Sequence, residues 1–317
     1  MSNVEHLQEL HGLPTFEFPA KDESTELPAA ETVAWVVRVS PYDDDSEDFA
    51  AAFERFLTQV DTAGVRALVI GQWGEAYEDS SGTVVELLVA AKDRLTSLEA
   101  LFIGDLEAEE AEISWIEQDD ITPVLDAYPK LRELGVRGGT DLRFPAVRHA
   151  SLRTLSFEAG GLPGEVVRGV VASELPALEY LEMWLGVEEY GGDATVADLA
   201  PLLAGGRFPH LRHLGLRNSE IQDEIATAVA AAPVVAQLTS LDLSLGVLTD
   251  AGALALLDGQ PLTHLKWIDL HHNFITEEVA ERLRTTWEAA GVEVDLSETG
   301  DSWEDGDEIR RYTAVAE

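Results

Sequence analysis

Apolar residues recur along this chain in short alternating runs, most of them of the form Leu-x-x-Leu-x-Leu. Because side chains alternate between the two faces of a strand, positions one, four and six of each run are predicted to enter a core, while positions three and five face outward. The runs begin at Val65, Leu98, Leu131, Leu152, Leu178, Leu211, Leu238 and Leu265, with an earlier run at residues 33–39 and a closing run at residues 292–296. The pattern therefore predicts about ten short strands.

Helices are predicted between the strands. Thr276 is a good N-cap residue, and Val279, Leu283 and Trp287 follow it at spacings of four residues before Gly291 closes the segment. Residues 249–259 and 219–232 have the same organisation.

A strand followed by a helix, with 27 residues in each of the last two intervals, resembles the ribonuclease-inhibitor-like class of leucine-rich repeats. The resemblance covers residues 32–298. It implies an α/β leucine-rich-repeat solenoid, a horseshoe in which a parallel sheet of about ten strands forms the concave face and helices lie on the convex side. Residues 1–31 are predicted to form an N-terminal cap segment, and residues 299–317 an acidic linker followed by a basic-aromatic tail.

The repeat lengths are irregular in an informative way. The repeat from Leu131 to Ser151 is too short for a full helix, so an extended convex segment is expected there. Three repeats of 33 residues carry insertions after their strands, at residues 74–82, 105–119 and 186–195. Since parallel strands share one direction, these insertions should emerge on the same rim, which makes that rim a candidate functional surface.

Composition adds a strong negative charge and no cysteine. The formal net charge is -39, which argues against nucleic-acid partners and anionic membrane surfaces. No apolar run has the length of a membrane span and the first residues do not resemble a secretory signal, so we expect a cytoplasmic, and from the composition a bacterial, protein. The acidic residues concentrate at the strand-exit rim, where we select Asp44, Glu78, Glu109, Glu110, Glu188 and Glu189. They form either a solvated surface or a docking rim for a basic partner.

The outward positions change character along the chain. They are mostly small and apolar in the early strands, whereas the strands from Leu178 onward carry aromatic, histidine, arginine and acidic residues. Aromatic and arginine side chains on a rigid sheet are typical of binding hot spots. The predicted partner-binding residues are Tyr180, Trp184, His213, Arg217, Trp267, Asp269 and His271. Alternatively, some of these aromatic residues pack on neighbouring strands or are covered by a rim loop or the C-terminal tail.

No catalytic motif or cofactor-binding motif is found in the sequence, and we predict neither an enzyme nor a cofactor. His271 and His272 point to opposite faces of a strand, and the strand that begins at Leu238 separates His213 from Asp269. A polar concave patch is therefore favoured over a metal site.

Both ends carry short motifs. His11-Gly12-Leu13-Pro14 and Phe18-Pro19 near the start, with Arg311-Tyr312-x-Ala314-Val315-x-Glu317 at the end, resemble an uncharacterised family of bacterial cytoplasmic leucine-rich-repeat proteins. The resemblance implies an interaction role beside other proteins and names no partner.

The tail has three possible fates. In the first, it folds back on the solenoid, with Tyr312 and Val315 buried and its arginines on acidic neighbours. In the second, it is an exposed tag that another protein reads or modifies through Arg311 and Tyr312. In the third, it frays.

For the whole chain, the sequence favours a non-enzymatic scaffold that binds a protein or peptide, basic in character, through the concave face and the acidic rim. The alternatives are a substrate or carrier protein whose tail is modified by a partner enzyme, an enzyme in its own right, and an acidic mimic of nucleic acid.

Overall fold

The repeated strands build one continuous sheet. The structure, a computed structural model, describes residues 4–21, 23, 25–41, 47–300, 302–305 and 308–316. Within these residues, 12 strands lie side by side in the order of the sequence. They are β1 (Glu9–Leu10), β2 (Leu13–Glu17), β3 (Ala34–Val37), β4 (Ala67–Ile70), β5 (Ala100–Ile103), β6 (Glu133–Arg137), β7 (Thr154–Glu158), β8 (Tyr180–Gly186), β9 (His213–Ser219), β10 (Ser240–Asp242), β11 (Trp267–Asp269) and β12 (Glu293–Asp295).

The ten predicted strands are confirmed as β3–β12, and their register is uniform. Each pairs in parallel with the next, so that Tyr180 lies beside His213, and Ser240 lies between His213 and Trp267. Equivalent motif positions therefore form rows across the concave face, at the strand spacing of about 4.8 Å.

Helices alternate with the strands on the convex side. They are α1 (Phe49–Gln59), α2 (Gly82–Ala90), α3 (Pro123–Ala127), α4 (Gly164–Ala172), α5 (Val196–Leu203), α6 (Gln222–Val229), α7 (Asp250–Asp258) and α8 (Glu277–Glu288). Helix α8 begins after Thr276 and buries Val279, Leu283 and Trp287, as their spacing predicted. Every helix in the described part of the chain is too short or too polar to serve as a transmembrane span.

The short repeat contains an extended convex segment, as predicted. Between β6 and β7 the chain forms single bridges to its neighbours, such as Arg143 to Asp120, and no helix. Helix α4 packs directly on this segment at Gly169, where an added Cβ would lie 1.7 Å from the Phe144 carbonyl oxygen. A glycine is needed at this helix position because the two backbones are in contact.

The two ends of the chain add elements of their own. Strand β2 pairs in parallel with β3, and β1 turns back against β2, so residues in the predicted cap extend the sheet. In the predicted acidic linker and the start of the predicted tail, β13 (Ser302–Asp305) pairs antiparallel with β14 (Glu308–Arg311) and forms a separate hairpin.

Candidate functional site

The first half of the concave face is covered by the N-terminal residues of the chain. The outward side chains of strands β3–β5 are all buried, namely Ala34, Val36, Ala67, Val69, Ala100 and Phe102. Leu10 packs on them, with Leu7 and Leu13 at the edge of the same cluster. The small apolar positions therefore form a second core between the sheet and the N-terminal segment.

Asp105 fixes this segment at the strand-exit rim, the edge of the sheet where the parallel strands end. One oxygen of its fully buried carboxylate accepts a hydrogen bond from the Leu7 amide (2.9 Å). The carboxylate also lies 3.2 Å from the Arg38 guanidinium, 3.6 Å from that of Arg137 and 3.3 Å from the His6 imidazole. Polar side chains from three separate parts of the chain thus converge on one insertion residue.

The second half of the concave face carries a row of stacked rings. The Tyr180 and His213 rings are parallel, with centroids 4.0 Å apart, and Trp267 lies 6.3 Å beyond His213. His213 is buried, whereas Tyr180 and Trp267 remain half-buried and reach the surface. This row is ordered by its own contacts before any partner arrives.

Three carboxylates form the next row, and two of them contact the same arginine. Glu182, Asp242 and Asp269 are all buried. Arg217 donates to Glu182 (2.8 Å), and its Nε lies 3.2 Å from the Asp242 carboxylate. The Trp184 indole also donates to Glu182 (2.7 Å), and the Arg217 guanidinium lies 5.1 Å from the centre of the Trp184 ring. Arg217 therefore offsets much of the negative charge in this row.

Burial moves the pKa of two groups in opposite directions. Burial raises the pKa of Asp242 to about 6, even though the Arg217 charge opposes the shift. Burial also lowers the pKa of His213 to about 4. For Glu182, burial alone would raise the pKa, but the Arg217 charge and three side-chain hydrogen bonds hold it below its ordinary value.

The same residues include potential metal ligands. In the described part of the chain, two groups have ligand atoms within 4.8 Å of one another: Glu182, His213 and Asp242, and Asp269, His271 and Asp295. In the first group Arg217 already contacts both carboxylates, so a cation would have to share their oxygens with a guanidinium. In the second group the His271 Nδ1 lies 2.7 Å from Asp269, and this hydrogen bond raises the pKa of His271. We interpret both groups as networks of ion pairs and hydrogen bonds.

The strand between His213 and Asp269 contributes polar side chains that lie next to both residues. Strand β10 supplies Ser240, whose hydroxyl is 2.8 Å from the His213 Nδ1, and Asp242. The predicted binding set did not include Glu182 or Asp242. Strand alternation provides the signal for both, since they share the outward position of Asp269.

The acidic rim residues are not equivalent. Glu78, Glu109, Glu188 and Glu189 are exposed, as predicted for a charged rim. Glu110 instead lies 3.3 Å from Arg38 and 3.4 Å from His6, within the network that holds the N-terminal segment. Asp44 lies outside the described residues.

The C-terminal tail, residues 313–316, runs across the same rim. Val315 is 2% exposed and packs with Ile113, Trp184 and Leu245. The Ala314 amide donates to the Leu245 carbonyl (2.8 Å), and the Val315 amide donates to the side chain of Asn218 (3.0 Å). The Asn218 side chain donates in return to the Val315 carbonyl. We call Ile113, Ser114, Trp184, Asn218 and Leu245 the tail site.

The expectation that the tail folds back with Val315 buried is confirmed. The expectation that Tyr312 is buried is wrong: 53% of this residue is exposed, because the inward contacts begin only at the next residue, Thr313. Arg311 is exposed as well, and its guanidinium lies 5.6 Å from the centre of the Phe274 ring.

Some of the predicted partner-binding residues are buried, one of them beneath the tail, and the others reach the surface. Trp184 lies beneath Val315 and is 9% exposed, and His213 and Asp269 are also buried. The members that reach the surface are Tyr180, Arg217, Trp267 and His271. No pattern in the sequence indicated Asn218. Its side chain accepts a hydrogen bond from the Val315 amide, which lies 97 residues further along the chain.

Comparisons with known proteins agree with this architecture. A family described as "Leucine Rich repeat" matches residues 209–230 and 237–257. The chain is also similar to a crystal structure of a protein from Bacteroides fragilis, with 32% sequence identity and a TM-score of 0.75. The similarity covers 83% of this chain and 72% of that one. None of the curated proteins matches the sequence.

Proposed function

We propose that this chain, which belongs to the leucine-rich-repeat proteins, is a non-enzymatic scaffold that binds a basic protein or peptide through the open half of its concave face and its acidic rim. Leucine-rich repeats generally mediate protein–protein interaction, which gives the class of function. The finer proposal rests on the surface itself. We also propose a cytoplasmic location, from the sequence features above.

The observation that carries the proposal is the ordered aromatic and charged surface on strands β8–β11. Tyr180 and Trp267 are held by stacking on His213 and still reach the surface. Half-buried aromatic residues lose little conformational freedom on binding, which favours affinity. The exposed Glu188 and Glu189 lie on the insertion after β8, at the opposite end of this strand from Tyr180. A basic partner that extends from the aromatic row to the rim would meet negative charge there.

The first test is alanine replacement of Tyr180 and Trp267 together. We expect the double variant to bind its partner at least about tenfold more weakly, since each aromatic anchor contributes at the level of a hot spot. The partner is captured from native lysate on the immobilised wild-type chain, identified by mass spectrometry and purified. Its dissociation constant is then measured with both proteins, and an unchanged constant for the folded double variant contradicts the proposal.

The second test separates the acidic rim from general negative charge. Glu188→Gln with Glu189→Gln removes two rim charges, and Glu278→Gln with Glu288→Gln removes two exposed charges from the convex helix α8. We expect the rim pair to slow association and to flatten its salt dependence, while the helix pair has a much smaller effect. Equal effects of the two pairs would show that only net charge matters.

A second candidate function is that of a substrate whose tail is modified. It is favoured by the position of Arg311 and Tyr312, which are exposed at the end of the hairpin, before the buried Val315. The intact mass of the native protein tests this candidate, because a covalent group on either residue would add to the mass of the tail.

A further inference from the structure

The tail site recognises the main chain of the tail as well as one side chain. Asn218 is fully buried, and its amide group both donates to the Val315 carbonyl and accepts from the Val315 amide. The Leu245 carbonyl accepts from Ala314, and the Ser114 hydroxyl donates to the Ala316 carbonyl. Hydrogen bonds to the main chain are a common basis of peptide recognition, with a pocket for one side chain adding specificity.

The solenoid repeats the backbone turn that builds this site. Four residues near the carboxyl ends of strands β9–β12 have positive φ angles, between 52° and 65°. They are Asn218, the penultimate residue of β9, and Leu245, His272 and Glu298, which follow β10, β11 and β12 by three residues. This left-handed conformation is strained for residues other than glycine. The Asn218 amide group and the Leu245 carbonyl, which belong to two of these turns, both bind the tail. The tail is therefore held by a regular feature of the rim.

The tail fills the site incompletely. A cavity of about 590 Å³ remains beside it, and Ala314 and Ala316 of the tail are among its lining residues. The lining also includes Glu112, Glu189 and Glu220 and the apolar residues Leu106 and Val187. A segment with larger side chains at the two alanine positions would bury more apolar surface than the tail does.

We propose that the tail site is a peptide-docking site which residues 313–316 occupy in the free protein. Its external ligand is an extended segment of a partner protein that has basic residues followed by aliphatic ones, the order found in Arg310, Arg311 and Val315. The inference rests on the proposed scaffold function and adds a second contact surface to it. The partner must displace the tail, which is present at a high effective concentration because it is covalently attached.

The test uses a labelled peptide of residues 309–317 and a chain truncated after Arg311. We expect the truncated chain to bind the peptide, and the full chain to bind it at least about tenfold more weakly because its own tail competes. A peptide with Ala314→Leu should bind the truncated chain more tightly than the native peptide. Fluorescence anisotropy measures all three affinities.

Two variants of the truncated chain address the site itself. Asn218→Gly keeps the left-handed backbone and removes the amide, so peptide binding should fall at least about tenfold. Gly160→Ala places a Cβ 2.2 Å from the position of the Ala316 carbonyl oxygen and should block the end of the peptide. Thermal unfolding of each variant confirms that the solenoid is intact.

Three results would overturn the proposal. They are a folded truncated chain that does not bind the peptide, equal binding of a peptide with Val315→Asp, and a full chain that dimerises by exchanging tails. Binding of the partner through Tyr180 and Trp267 is measured separately. If only the peptide fails, the docking site is rejected and the scaffold function stands.

Discussion

The Asp105→Ala variant is expected to lose about 3 kcal/mol of unfolding free energy, the low end of the cost of removing one partner from a buried ionic cluster. Arg137 is 3% exposed and would keep one carboxylate partner, Glu158 (2.8 Å), beside its bonds to two backbone carbonyls. Arg38 would keep only its longer contacts with Glu110 and Glu17 among the carboxylates. The Leu7 amide would lose its acceptor. We therefore expect the N-terminal segment to detach from the concave face before the solenoid unfolds.

Urea denaturation measures the stability loss, and limited proteolysis of the first residues measures the detachment. Glu109→Ala is the matched control, since Glu109 lies in the same insertion and is exposed. A surface change of this kind should alter stability by no more than about 0.5 kcal/mol. If Asp105→Ala is as stable and as resistant to proteolysis as Glu109→Ala, then the carboxylate does not hold the segment.

The Asp242→Asn and His213→Gln variants are expected to respond to pH in opposite directions. Burial raises the pKa of Asp242 from 3.8 to about 6 in the folded protein. The folded state therefore binds this proton more tightly than the unfolded chain does, and ionisation of Asp242 destabilises the fold increasingly as the pH rises from about 4 to about 6. Relative to the wild type, Asp242→Asn should become more stable by about 3 kcal/mol over that interval.

His213 has the reverse dependence. Its folded-state pKa is lowered from 6.5 to about 4, so the unfolded chain takes up the proton first, and His213 destabilises the fold increasingly as the pH falls from about 6.5 to about 4. Relative to the wild type, His213→Gln should gain about 3 kcal/mol as the pH falls through that interval. In the wild type the two contributions oppose each other.

Unfolding free energies of the three proteins, measured at several pH values, test this pair. The informative quantity is the difference between each variant and the wild type, because the many other carboxylates contribute equally to both and cancel. Differences that do not change with pH, or that change in the same direction for both variants, would contradict the burial of these two groups.

The repeat architecture could be predicted from the sequence because it is locally encoded. Each strand from β4 to β11 can be identified from the six residues of its own Leu-x-x-Leu-x-Leu motif. The short interval after Leu131 likewise identifies the repeat that has no helix. The outward positions were also assigned correctly, since strand alternation needs no knowledge of distant residues.

The candidate site was only partly predictable. Tyr180, Trp267 and their neighbours were found from alternation, but the burial of Trp184 depends on Val315, which lies far along the chain. The Leu7 bond to Asp105 likewise spans 98 residues. Contacts at such separations leave no periodic signal in a single sequence.

The sequence by itself thus determined the solenoid, the faces of its strands and the acidic character of its rim, because these follow from local periodicity and composition. Only the tertiary structure decided which parts of the concave face are open. The N-terminal segment covers the early strands through Leu7 and Leu10, and the tail covers Trp184. The physical reason is that alternation fixes the direction of a side chain, whereas its exposure depends on which distant segment packs against it.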